Sequence, residues 1–150
     1  MNFKFFLESD QSYKKDTKST LNKIPKKHSG LIKDYKIIFE PDNTLKNDED
    51  HIGFIDEEKK TITIASPWHY GREYTLLHEI AHAVWKYLIN EKMRNEWSKA
   101  VKKEKKIDKE GLDQNVEELF CMTYAQYYCK NKMLKFEHPN LIKFIDKIPK

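Results

Sequence analysis

The sequence predicts an α+β fold in a single domain. Three observations predict it. A stretch in the first half alternates apolar and polar residues with period two. From residue 72 onward the apolar residues recur at helical spacing. The length, 150 residues, is that of one ordinary domain, and the 13% of aromatic residues supply a core for it.

Taken in order, residues 1–30 are polar and lysine-rich. Their composition allows disorder over 1–18. Ser19 or Thr20 is the expected cap of a short helix that stops before Pro25. Tyr35 to Phe39 reads as a strand closed by Glu40-Pro41-Asp42, and 42–50 reads as a loop. His51 to Ile55 is a second strand, Asp56 to Lys60 a polar turn, and Thr61 to Ala65 a third strand with Ile62 and Ile64 on one face. A hairpin follows, ended by Ser66-Pro67. Arg72 to about Asn90 is helical through Leu77, Ile80, Ala81, Val84 and Leu88. A second helix covers Glu91 to Lys106 through Met93, Trp97 and Val101. Gly111 and Asp113 interrupt the pattern. Asp113 or Asn115 caps a third helix reaching about Lys130, and a closing helix starts at Pro139.

Composition narrows the function classes. No run of about 18 apolar residues occurs, so no membrane span is expected. The apolar run at Met1–Leu7 is too short for a signal-peptide core. Two cysteines, Cys121 and Cys129, cannot make a disulfide framework, and they read as core thiols. A cytoplasmic location is the expectation that follows. The chain carries 28 basic and 24 acidic residues, a net charge of +4. Only Arg72 and Arg94 are arginines. Phosphate readers favour arginine forks, so the lysines read as a solvating surface and nucleic-acid binding is not expected.

The chemistry is concentrated in His78-Glu79-Ile80-Ala81-His82. Histidines at i and i+4 lie one above the other on a helix face, where both imidazoles reach one cation at about 2.0–2.1 Å. Glu79 lies about 100° round the helix, beside the metal rather than on it. This is the arrangement that activates water in zinc peptidases. Zinc needs a third protein ligand and an open fourth position. No histidine stands between His82 and His138, so the candidates are the two carboxylates of Asn115-Val116-Glu117-Glu118-Leu119-Phe120. Either one also fits as charge at a helix start.

These residues resemble the gluzincins, zinc peptidases with His-Glu-x-x-His and a glutamate ligand on a following helix. Within them the chain is similar to the lethal-factor-like family, which includes the Pro-Pro endopeptidases. The matching parts are Leu21 to Pro25, the strand to Phe39, Tyr74 to Trp85, Asn115 to Tyr128, and Pro139 to Ile145. The resemblance implies a zincin-like domain, a small twisted sheet packed on the His78–His82 helix with a second, glutamate-bearing helix. It implies one zinc per chain held by His78, His82 and Glu118, with Glu79 as general base and a protein or peptide as substrate. It selects Glu118 because the family's ligand directly precedes a bulky pair, here Leu119-Phe120, and it leaves Glu117 as the neighbour. The family's oxyanion tyrosine falls near Gly111, and its second acidic residue is replaced by Met122. Tyr70 and Tyr74 are the candidate substitutes. Arg72 to Leu77 with Gly53 upstream also resembles the ImmA/IrrE-type peptidases, which cleave transcriptional repressors. A reading from another class is a catalytically idle zinc-containing binding module. Thr61–Ala65 is the expected free edge for an extended peptide. Trp68-His69-Tyr70 is placed either to shape a specificity pocket or to pack on the sheet.

Overall fold

The computed structural model describes residues 15–39, 53–64, 71–104, 115–130 and 137–150. The fold is α+β. In chain order it runs through a short helix α1 (Lys26–Ser29), a 3-10 turn Gly30–Ile32, strands β1 (Lys36–Phe39), β2 (Gly53–Asp56) and β3 (Thr61–Ile64), then helices α2 (Arg72–Leu88), α3 (Glu91–Lys103), α4 (Val116–Tyr128) and α5 (Pro139–Lys147).

The N-terminal expectations need correction. Residues 15–21 are helical, so order begins within the 1–18 stretch. Thr20 lies inside that helix and is buried, so neither it nor Ser19 is its N-cap. Residues 1–14, the loop at 42–50, Gly111, Asp113 and Trp68-His69-Tyr70 lie outside the described residues.

The sheet is mixed, in the order β1-β3-β2. β2 and β3 form the expected hairpin, with Ile55 opposite Ile62. β1 pairs with β3 in parallel, with Ile37 opposite Ile62. β3 is therefore the central strand, and the expectation that Thr61–Ala65 is a free edge is overturned. Alternation reports only that one face is covered, and this is equally true of a central or an edge strand. Ile62 and Ile64 are fully buried, and the sheet packs on α2 through β2 and β3.

Helix α2 is the centre of the core. Leu77, Ile80, Ala81 and Val84 are buried along it, as the sequence spacing predicts; Leu88, the last of that stripe, is only partly buried, and Leu76 is buried beside it. Its start needs a glycine, since the N-cap Gly71 sits at φ 73°, in the left-handed region. Its C-terminal end is met by Arg94, whose Nη2 donates to Trp85 O in the last turn at 3.1 Å and whose Nε donates to O of the C-cap Ile89 at 3.1 Å. The guanidinium also lies over the Trp85 ring. A cation satisfying the terminal carbonyls suits the negative end of the helix dipole.

The later helices start in different ways. Asn90 Oδ1 accepts from Met93 N at 2.9 Å to start α3. At α5, Pro139 occupies the first turn, and the cap comes from another element. The buried Glu104 at the end of α3 accepts from Asn140 N at 2.7 Å. Trp97, Phe120 and Phe144 then lock α3, α4 and α5 together, with ring centroids 5.1 to 6.3 Å apart.

His28 ties α1 to the C-terminal end. Its Nε2–H donates to Pro149 O at 2.7 Å, so Nδ1 accepts from the Tyr124 hydroxyl at 2.9 Å. Both bonds are made by the neutral ring, and burial pushes its pKa below the ordinary histidine value. The unfolded chain therefore takes up this proton more readily than the folded one. The stability contributed by His28 is complete above about pH 6.5 and is lost as pH falls below it, until the folded chain is protonated as well. Urea unfolding of wild type and His28→Gln from pH 8 to pH 5 is the check. The wild-type midpoint falls more steeply below about pH 6.5 than that of the variant.

Candidate metal centre

The residues that line the site come mainly from three elements, with Glu57 of the β2–β3 turn, Arg94 of α3 and Asn115 besides. On α2 they are Tyr74, His78, His82 and Lys86, one stripe at four-residue spacing, joined by Thr75, Glu79 and Trp85. On β2 they are Gly53, Phe54 and Ile55, and at the start of α4 Glu117, Glu118 and Met122. Together they enclose an open cavity of about 790 Å³.

His78 and His82 stand one turn apart on α2, with ring centroids 5.3 Å apart and planes at 72°. Glu118 reaches both from α4. Its Oε2 lies 2.9 Å from His78 Nε2 and its Oε1 3.0 Å from His82 Nε2. Glu117 Oε1 lies 2.9 Å from His82 Nδ1, the other ring nitrogen. The two neighbouring glutamates therefore differ in place. Glu118 faces the nitrogens that the two rings share with the cavity, whereas Glu117 holds the back of one ring.

The packing of α4 on α2 brings the carboxylates there. Phe120, Cys121, Tyr124 and Ala125 are fully buried, so the face of α4 that carries them is fixed against the core. That leaves positions 117 and 118 facing α2 at the helix start. Asn115 caps the helix by accepting from Glu118 N at 3.3 Å, and Trp97 Nε1 donates to Val116 O at 3.1 Å. The first turn of α4 is held from both sides.

The electrostatics of the cluster are reciprocal. Hydrogen bonds from His78 and then from His82 hold the Glu118 carboxyl far below the usual carboxylate range, against the effect of burial. For His82, burial opposes the charged ring, but the contacts to Cys121, Glu118 and Glu117 outweigh it and raise the pKa above the histidine range. We ascribe most of that rise to the two carboxylates. Burial lifts the Cys121 thiol to about 11, so it carries no charge near neutral pH.

The donor set fits zinc. Two imidazole nitrogens and a carboxylate oxygen are ordinary zinc ligands, and donors at about 2.0–2.1 Å from a tetrahedral ion stand about 3.3 Å from one another. The separations of 2.9 and 3.0 Å are close to that spacing. The side chains of Glu118 and Glu117 are about 40% exposed, those of His78 and His82 about 20%, so the cluster is open to the cavity on one side. Glu79 is 6% exposed and lines the same cavity. Tyr74 lies one turn before His78, with ring centroids 6.3 Å apart. Burial pushes its hydroxyl up to about 12, so it remains a hydrogen-bond donor near neutral pH.

Three features escape the sequence reading. Cys121 is a buried core thiol as expected, but a ligand atom of it, of His78 and of His82 all lie within 4.8 Å of one another. The signal was its place one turn after Glu117 and Glu118. Cys129 is only partly buried. Gly53 sits where any side chain would meet Glu79, and no local pattern marks it.

Removing the Asn115 cap should loosen the carboxylate pair. Asn115→Ala is expected to cost about 1 kcal/mol, read as a lower midpoint in urea unfolding, with α4 fraying first in amide exchange.

No protein-family model matches the chain, and no curated protein and no solved structure matches it.

Proposed function

We propose that the protein is a zinc-dependent metalloendopeptidase with a zincin-like fold, in which His78, His82 and Glu118 hold the metal and Glu79 is the general base. The observation that carries this reading is the convergence of Glu118 on the Nε2 atoms of both histidines, across 40 residues of chain. An ordinary surface helix with two histidines has no need of a carboxylate facing both rings, and a structural site has no need of Glu79.

The chain's own residues then divide the work. Zinc, when bound, supplies the Lewis acidity that makes water nucleophilic near neutral pH. Glu79 takes the proton from the attacking water as its oxygen bonds to the scissile carbonyl carbon. The same proton passes to the amine nitrogen as the C–N bond breaks. Glu117 orients His82 through Nδ1, as partners of ligand histidines do. Tyr74 is the candidate donor to the developing oxyanion. β2 lines the cavity, and among the described residues only one of its edges is paired. Its other edge is where an extended peptide would add a strand.

A second reading has one observation in its favour. If Cys121 joins His78, His82 and Glu118, four protein donors close the metal's coordination and the protein is a catalytically idle zinc module. Cobalt substitution separates the two. A thiolate-to-cobalt absorption band, absent in Cys121→Ser, supports the closed site, and its absence supports the peptidase.

The peptidase reading predicts one zinc per chain by elemental analysis and cleavage within a peptide library. Glu79→Gln is expected to keep the zinc and the fold and to lose at least about 10²-fold in rate. Competitive zinc titration should show Glu118→Ala losing most of the affinity. Glu117→Ala should lose about 10–100-fold, the range for a residue that orients a ligand. A Glu118→Ala variant with wild-type affinity would remove the ligand assignment.

Zinc binding also competes with the proton that the carboxylates hold on His82. Affinity is therefore expected to rise with pH through neutrality, with proton release on binding. Calorimetry in two buffers of different ionisation enthalpy measures that release.

A further inference from the structure

Gly53 opens β2 and is buried against α2. It is paired with Ile64 of β3, and among the described glycines only Gly71 has a positive φ. The backbone at Gly53 is therefore one that any residue can adopt, and glycine carries the larger entropic cost on folding. What the structure uses at this position is the missing side chain.

A methyl group at Gly53 would meet Thr75 Cγ2 at 2.7 Å, Glu79 Oε1 at 2.9 Å and Glu79 Cγ at 3.1 Å. The carbon–carbon distances fall well below the roughly 3.5–4.0 Å at which carbon atoms attract. The nearest atoms belong to Thr75 and Glu79, not to His78, His82 or Glu118. Of the two neighbours, Thr75 is the stiffer. It is β-branched and 1% exposed, and its hydroxyl donates to Gly71 O at 3.4 Å. The carboxylate of Glu79 ends a chain of three rotatable bonds, so it is the group that a larger residue would displace.

We propose that Gly53 is a positioning residue for Glu79: its bare α-carbon forms the slot in β2 that seats the Glu79 carboxylate beside the histidine–glutamate cluster. The kinetic consequence rests on the reading of Glu79 as general base. The seating itself rests on packing alone. A displacement of about 1 Å in a catalytic group is enough to cost about 10²-fold in rate. The same methyl group leaves the metal ligands where they are.

The experiment uses Gly53→Ala in the full chain, with three readouts. Zinc affinity is measured by competitive titration, the Glu79 carboxyl carbon by isotope-edited NMR (assigned by its loss in Glu79→Gln), and kcat and KM on a peptide the wild type cleaves. The expected result is unchanged zinc affinity, a shifted Glu79 carboxyl resonance, and a kcat about 10²-fold lower at unchanged KM. A folded variant with the wild-type Glu79 resonance, or with wild-type kcat, overturns the proposal. Should Gly53→Ala fail to fold, Gly53→Ala/Thr75→Ser removes the 2.7 Å contact and carries the same readouts. Recovery of both kcat and the Glu79 resonance in that double variant would show that Gly53 serves Thr75 instead. If the wild type neither binds zinc nor cleaves peptides, the peptidase reading falls, and the NMR readout still decides the seating of Glu79.

Discussion

The packing of α4 on α2 is the constraint on which the histidine–glutamate cluster depends, because it brings Glu118 to both imidazoles. Helix α2 presents the histidines by its own periodicity. Glu118 has to arrive from a different helix, in a rotation correct to within one residue. A slip of one position on α4 would swing its side chain by about 100°. The fully buried Phe120, Cys121, Tyr124 and Ala125 prevent that slip, because rotating the helix would bring them out of the core. The hydrophobic face of α4 thus sets the polar geometry of its first turn.

That first turn is also where carboxylates are least costly. The positive end of the α4 dipole and the Asn115 cap favour acidic residues there. Even so, Glu79, Glu117 and Glu118 line one cavity, and like charges in a partly buried space repel. Hydrogen bonds from His78 and His82 to the carboxylates relieve this. Such clustering of titratable groups in a cavity is common where function takes precedence over local stability.

Rigidity at the other end of α2 complements this arrangement. Arg94 bonds the carbonyls of Trp85 and of the C-cap Ile89 and covers the Trp85 ring, which itself packs on Phe120 of α4 at 5.1 Å. The end of the histidine helix and the core of the glutamate helix are thus joined through one indole ring. Trp85 and Arg94 also line the cavity. A single packing unit therefore shapes its wall and maintains the α2–α4 contact.

The sequence by itself determined the elements that are encoded locally. The apolar stripe of α2, Asn115 as one of two candidate caps of α4, the β2–β3 hairpin and the His78-Glu79-x-x-His82 spacing can all be read from residues within a few positions of each other. So can the candidacy of Glu117 and Glu118, as acids at a helix start. Only the tertiary structure decided what depends on separate segments meeting. It put β1 beside β3 and so made β3 central, since alternation records a covered face and is silent about neighbours. It turned Glu118 to the shared side of the two rings and Glu117 to the back of one, because the face of α4 is chosen by what that helix buries. It placed Cys121 under the histidines and Gly53 against Glu79. Both are consequences of how closely two elements approach, and interelement distance is set by packing across the core rather than by any pattern along one segment.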